Sequence, residues 1–76
     1  MAVKSAIMTS ANLSKCDMRG AMLNGAILRF AKLKGARLDG AMLRLSNLDR
    51  VDATGTSLRD ADLSFTSLNE ARLVRA

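Results

Sequence analysis

Histidine, tyrosine and tryptophan are absent from this 76-residue chain, and cysteine occurs once, at Cys16. Each absence closes off a class of function. Serine and threonine are plentiful but have no imidazole to activate them, and no lysine carries a sign of the desolvation that makes an amine nucleophilic. No cysteine and carboxylate stand together at metal-ligand spacing, and the acids are not gathered in pairs for proton transfer. The chain is therefore expected to be no enzyme and to need no cofactor or metal. One thiol forms no internal disulfide, and a cysteine at an apolar position behaves as a small hydrophobe. There is no run of 18 apolar residues, so no membrane span is expected. Met1 to Ser5 lack signal-peptide architecture, which makes the cytoplasm the expected location. A chain of this length is one domain, near the lower limit for a self-sufficient core.

What the sequence has is a period. Every fifth residue is small: Ala6, Ala11, Cys16, Ala21, Ala26, Ala31, Ala36, Ala41, Ser46, Val51, Thr56, Ala61, Thr66, Ala71 and Ala76. Two places after each comes leucine or methionine, from Met8 through Leu73, with Ala53 the one exception. A repeat of this kind sets the architecture before any other signal is read. A helix would turn successive leucines by roughly 140° and spray them over every face. A straight strand fails as well, because an odd repeat sends alternate leucines to opposite sides. Within Ala-x-Leu, however, both side chains point the same way, so the remaining three-residue step must contain a bend. Gly20, Gly25, Gly35, Gly40 and Gly55 all fall at the fifth place and mark it. Short extended sides joined by regular corners make a stacked coil, a β-solenoid.

Ala11-Asn12-Leu13, Cys16-Asp17-Met18 and Ala61-Asp62-Leu63 carry the clearest form of the pattern. It resembles the pentapeptide repeat family, whose loose signature is Ala-(Asp/Asn)-Leu-x-x, over essentially the full length. The resemblance implies an all-β fold, a right-handed quadrilateral β-helix of about 20 residues per coil, with just under four coils here. The charges select the same number independently. Stacked coils lie about 4.8 Å apart, so like charges one coil apart would repel. A shift of twenty pairs Asp17 with Arg37, Arg19 with Asp39, Asp39 with Arg59, Arg29 with Asp49, Lys32 with Asp52, Asp52 with Arg72, and Arg50 with Glu70. It creates no like-charge pair, whereas a shift of fifteen stacks Arg19 on Lys34 and Arg29 on Arg44. Val51-Asp52-Ala53 reverses the small-then-large order and reads as local repacking at nearly constant volume.

Residues 1–76 thus form a single solenoid, either entire or a segment of a longer array. Writing out four sides concentrates positive charge on one of them, through Lys15, Lys32, Lys34, Arg72 and Arg75 with only Asp52 opposing. Such a face can meet phosphate or acidic protein, but it has no aromatic residue for a base to stack on. Another side presents Met22, Met42, Leu45 and Phe65 outward, and its neighbour adds Ile7, Ile27 and Phe30. A contiguous apolar strip marks a partner site; stacking of corner residues along the axis is the competing explanation. The function expected is a non-catalytic protein-binding or scaffold module. Some pentapeptide repeat proteins inhibit or protect DNA gyrase by resembling duplex DNA, which is the alternative the resemblance implies. The basic charge and the short coil stack disfavour it, and nucleic-acid binding by the basic face is expected to be weak. The repeat is in register at both ends, without a helix or polar segment to cover the coil edges, so self-association through the ends is expected.

Overall fold

The computed structural model describes residues 6–75. The Lys4 charge, the start of the repeat near residue 3 and the small position at Ala76 lie outside them. All fourteen described pentads have one local structure: an extended second residue, flanked by the inward pair, then a turn at the fourth and fifth places. The carbonyl of each third residue accepts a hydrogen bond from the first N–H of the next pentad, as from Ala36 to Leu33 at 2.9 Å. The fifth residue has positive φ in every pentad. Positive φ at the second central position is what a type II turn requires. Glycine fills five of these corners, while nine carry a side chain at φ of 57–63°. None of the nine is β-branched, the class for which this conformation costs most.

Every β-bridge is parallel and joins residues twenty apart, from Ile7–Ile27 to Asp52–Arg72. The chain is therefore a β-helix that returns to the same side every twenty residues, as the charge pattern predicts. Three backbone bonds per pentad tie one coil to the next. Leu28 N–H donates to Asn47 O at 2.7 Å, Phe30 N–H to Asp49 O at 3.0 Å, and Asn47 N–H to Ala26 O at 2.9 Å.

That scheme leaves the N–H of the fourth residue without a backbone partner, and this explains the acid or amide of the repeat signature. Ser14, Arg19, Asp49, Thr54 and Ser64 donate to the Asx side chain two residues earlier, at 2.9–3.2 Å. Arg44, Arg59 and Asn69 donate instead to Asn24, Asp39 and Asp49 of the preceding coil, at 2.9–3.0 Å. The acids are thus held chiefly by turn amides and hydroxyls. Of the seven ion pairs the shift of twenty predicts, only Arg50–Glu70 closes directly, at 3.1 Å, among the described residues. Asp17 pairs with Arg19 of its own turn at 2.7 Å, not with Arg37. The register is right, but an Asx oxygen gains more from a fixed backbone N–H beside it than from a solvated guanidinium one coil away.

Inside the coils, alanines and leucines form one apolar core. Polar residues at inward places bond to carbonyls: Ser46 Oγ donates to Leu43 O at 2.7 Å, and Thr56 Oγ1 donates to Leu33 O. Uncovered coil edges imply that the inward residues of the end coils, Met8, Leu13, Met18, Leu63, Leu68 and Leu73, meet water. Met8, Leu13, Leu63 and Leu68 are half-buried and Leu73 is exposed, but Met18 is only 6% exposed and part of the core. The open C-terminal end of the stack leaves a cavity of about 630 Å³, bordered by Leu58, Leu63, Leu68 and Leu73 and reaching Leu33, Val51 and Ala53. Val51 adds volume on a neighbouring column, so the reversed repeat does not refill the place between Leu33 and Leu73. No helix among the described residues is long and apolar enough to cross a membrane.

Candidate docking face

The outward residues of each pentad are the second, fourth and fifth, so a face is built from columns twenty residues apart. Met22 bridges Met42 in one column, and Ile7 bridges Ile27 in a column on the adjoining side. The corner between them carries Gly25, Leu45 and Phe65. The predicted strip is on the surface. Phe65 is 77% exposed, Leu45 65%, Met22 48% and Met42 39%, and Ile27 and Phe30 are exposed too. Ile7, at the strip's first coil, is as open as Phe65. Toward the C-terminal coil the same columns turn polar, Met42 bridging Asp62 and Ile27 bridging Asn47. Beyond Met42 the strip is therefore continued only by the corner, through Leu45 and Phe65.

Guanidinium groups border it. Arg44 Cζ lies 5.6 Å from the centre of the Phe65 ring, and Arg29 and Arg50 each lie 5.6 Å from that of Phe30. These contacts were not anticipated from the sequence, although the shift of twenty already stacks Phe30 on Arg50. They bear on the competing explanation: Phe30 has two guanidinium groups at its ring and Phe65 has one, whereas Leu45, Met22 and Met42 are exposed to solvent.

The basic residues share one side, with Lys32, Asp52 and Arg72 in successive bridges of a column. Asp52 accepts from the Thr54 hydroxyl and N–H, and the hydroxyl bond comes first among the causes that hold its carboxyl below the usual range, with Arg72 and Lys34 adding to it. Lys15, Lys34 and Arg75 flank a shallow cleft of about 450 Å³ floored by Gly35 and Gly55. The two candidate surfaces are thus separate, and the structure brings each set together on its own side. The described residues contain no group of three or more metal-ligating side chains.

The family profile of Pentapeptide repeats matches residues 6–40 and 46–76 in eight copies. The chain belongs to the pentapeptide repeat family. Two solved members are similar to it. HetL, a pentapeptide repeat protein involved in heterocyst differentiation regulation from the cyanobacterium Nostoc sp. strain PCC 7120, is 30% identical with a TM-score of 0.66. The match covers 99% of this chain and 37% of HetL. Rfr23, from the cyanobacterium Cyanothece 51142, is 26% identical with a TM-score of 0.58, over 95% of this chain and 59% of Rfr23. This pentapeptide repeat chain therefore spans less than two thirds of either relative. No curated protein sequence matches it. The shared fold is the family's right-handed β-helix.

Proposed function

We propose that this chain is a non-catalytic docking module, a four-sided β-helix of just under four coils whose apolar side binds a protein partner. The observation that carries the reading is the strip of Met22, Met42, Leu45 and Phe65 with Ile27 and Phe30 beside it, exposed on a rigid hydrogen-bonded coil stack. Methionines repack against irregular apolar surfaces, and Arg29 and Arg44 at the border favour a partner with acidic groups around an apolar centre. HetL is involved in heterocyst differentiation regulation, and a regulatory role is one that a docking module can fill. The basic side, with Lys15, Lys32, Lys34, Arg72 and Arg75, keeps the module soluble and supplies long-range attraction to acidic partners. Its ends add self-association.

The test is capture from a lysate of the source organism by three forms of the chain: unmodified, Leu45→Ser with Phe65→Ser, and Lys32→Glu with Lys34→Glu. The reading requires a protein retained by the first and third and lost from the second, with the β signal in circular dichroism unchanged. Retention by the apolar variant and loss by the acidic one would move the site to the basic side. Recovery of nucleic acid that survives physiological salt would replace the reading altogether.

A further inference from the structure

The bonds between coils give the stack a direction. Toward the C-terminal coil each pentad points two N–H groups, at its third and fifth places, and one C=O, at its first. Toward the N-terminal coil it points two C=O groups, at the second and fourth, and one N–H, at the second. The edge at residues 56–75 is consequently rich in donors, and among the described residues Leu63, Phe65, Leu68, Glu70, Leu73 and Arg75 N–H have no backbone acceptor. The edge at residues 6–20 is rich in acceptors, with the carbonyls of Ile7, Thr9, Asn12, Ser14, Asp17 and Arg19 facing out. Two like edges would set donors against donors or acceptors against acceptors. Unlike edges satisfy both.

We propose that a second copy of this chain docks head to tail, its residues 6–20 on residues 61–75 of the first. This rests on the reading that the ends self-associate and adds to it a polarity and a register. Corner geometry allows registers that differ by one pentad, and charge separates them. Placing residues 6–20 over 61–75 stacks Lys15 on Glu70 and Asp17 on Arg72, two opposite pairs with no like pair. One pentad earlier, the same residues over 56–70 meet no charged partner of either sign. A further pentad back is closed, because residues 71–75 already cover residues 51–55, and one pentad the other way sets Lys15 on Arg75. The favoured register repeats the chain's own internal stacking, in which Asp17 lies one coil from Arg37 and Asp52 one coil from Arg72.

Packing agrees with the choice. It lays Met8 over Leu63, Leu13 over Leu68 and Met18 over Leu73, which border the cavity open at that end. Methionine adapts to such irregular space. Nine backbone bonds follow, three per pentad, as between any two coils inside the chain. Because the two patches differ, the contact is heterologous and leaves a free edge on each new copy, so assembly continues instead of closing at a dimer.

Cysteine cross-linking reads the register directly. Cys16 lies at an inward small place, and in the favoured register it sits one layer from residue 71. Ala71→Cys should give disulfide-linked ladders on mild oxidation, whereas Thr66→Cys, which reports the register one pentad earlier, and Ala61→Cys, which no open register sets beside Cys16, should give at least tenfold less. Ala71→Cys in a Cys16→Ala background should not link at all. Light scattering across a concentration series should show a mean mass that keeps rising. Lys15→Glu should weaken association by at least threefold, and mixing it with Glu70→Lys should restore the contact between the two. A monomer at every concentration would overturn both the self-association reading and this inference. Association that plateaus at a dimer, or ladders strongest with Thr66→Cys, Ala61→Cys or the Cys16→Ala background, would overturn the inference alone.

Discussion

The coil stretch from Ala21 to Ala53 and the coil from Thr56 to Arg75 are written in the same five-residue pattern, yet they bury it differently. Leu23, Leu28, Leu33, Leu38 and Leu43 are at most 1% exposed, while Leu58, Leu63 and Leu68 are half-buried and Leu73 reaches 41%. The residue types, the turns and the inward direction are the same in both. What differs is whether a coil lies on each side. A pentad therefore has little stability of its own, and its leucine becomes core only when a neighbour covers it, the nearest-neighbour behaviour expected of a solenoid.

The largest expected effect separates the two regions at equivalent places. Leu43→Ala removes a side chain enclosed above and below and should cost about 2–5 kcal/mol. Leu73→Ala, already in contact with water, should cost about 1 kcal/mol or less. Urea midpoints of the two variants check the contrast, and equal losses would show that burial does not follow the coil count.

Corner strain comes next. Leu45 holds φ at 60°, a conformation that costs an L-residue roughly 1–2 kcal/mol. Leu45→Val should destabilise by about that amount, because branching at Cβ worsens the clash. Leu45→Gly should leave stability unchanged or raise it while removing the strip's central apolar side chain. A glycine variant that unfolds would mean that Leu45 is structural.

Filling the gap beneath the last coil should help. Ala53→Leu restores the repeat between Leu33 and Leu73 and should stabilise by about 1 kcal/mol. A lower midpoint would show that the space at Ala53 is already closed in solution.

The smallest effect is acid sensitivity. Asp17 is lowered to about 2, first by its bond to the Arg19 side chain, and Asp39, Asp49, Asp52 and Asp62 are lowered by hydroxyl and turn N–H donors. A depressed folded value means that these carboxylates stabilise the fold fully above the ordinary value of about 3.9 and lose that contribution as pH falls through the folded values. The thermal midpoint should be flat from pH 7 to about 5 and then drop toward pH 2. Asp62→Asn should keep the turn and flatten part of the drop, since Asn12 and Asn47 already cap the same N–H at equivalent places. An unchanged slope would assign the acid loss to other groups.

The repeat length, the inward columns and the register were legible in the sequence because each depends only on residue type at a fixed spacing. The corners were legible in place but not in chemistry. Glycine marks five of them, yet Phe30, Leu45 and Arg50 turn equally well, because the bonds to adjacent coils impose the conformation. The closest contacts of the acids were not legible for a related reason. Charge alone pairs Asp39 with Arg19 and Arg59, but a stranded fourth-place N–H lies closer, and only the bond pattern reveals it. The guanidiniums over Phe30 and Phe65 depend on rotamers that spacing does not specify.

Amide hydrogen exchange, read residue by residue at low and high protein concentration, tests the central claim that coils are stabilised by their neighbours. At low concentration the N–H groups of Leu28, Leu33, Leu38 and Leu43 should exchange slowly, and those of Leu63, Leu68 and Leu73 quickly. At high concentration the last three should become protected as a second copy covers them. Equal protection of both sets at every concentration would contradict the account.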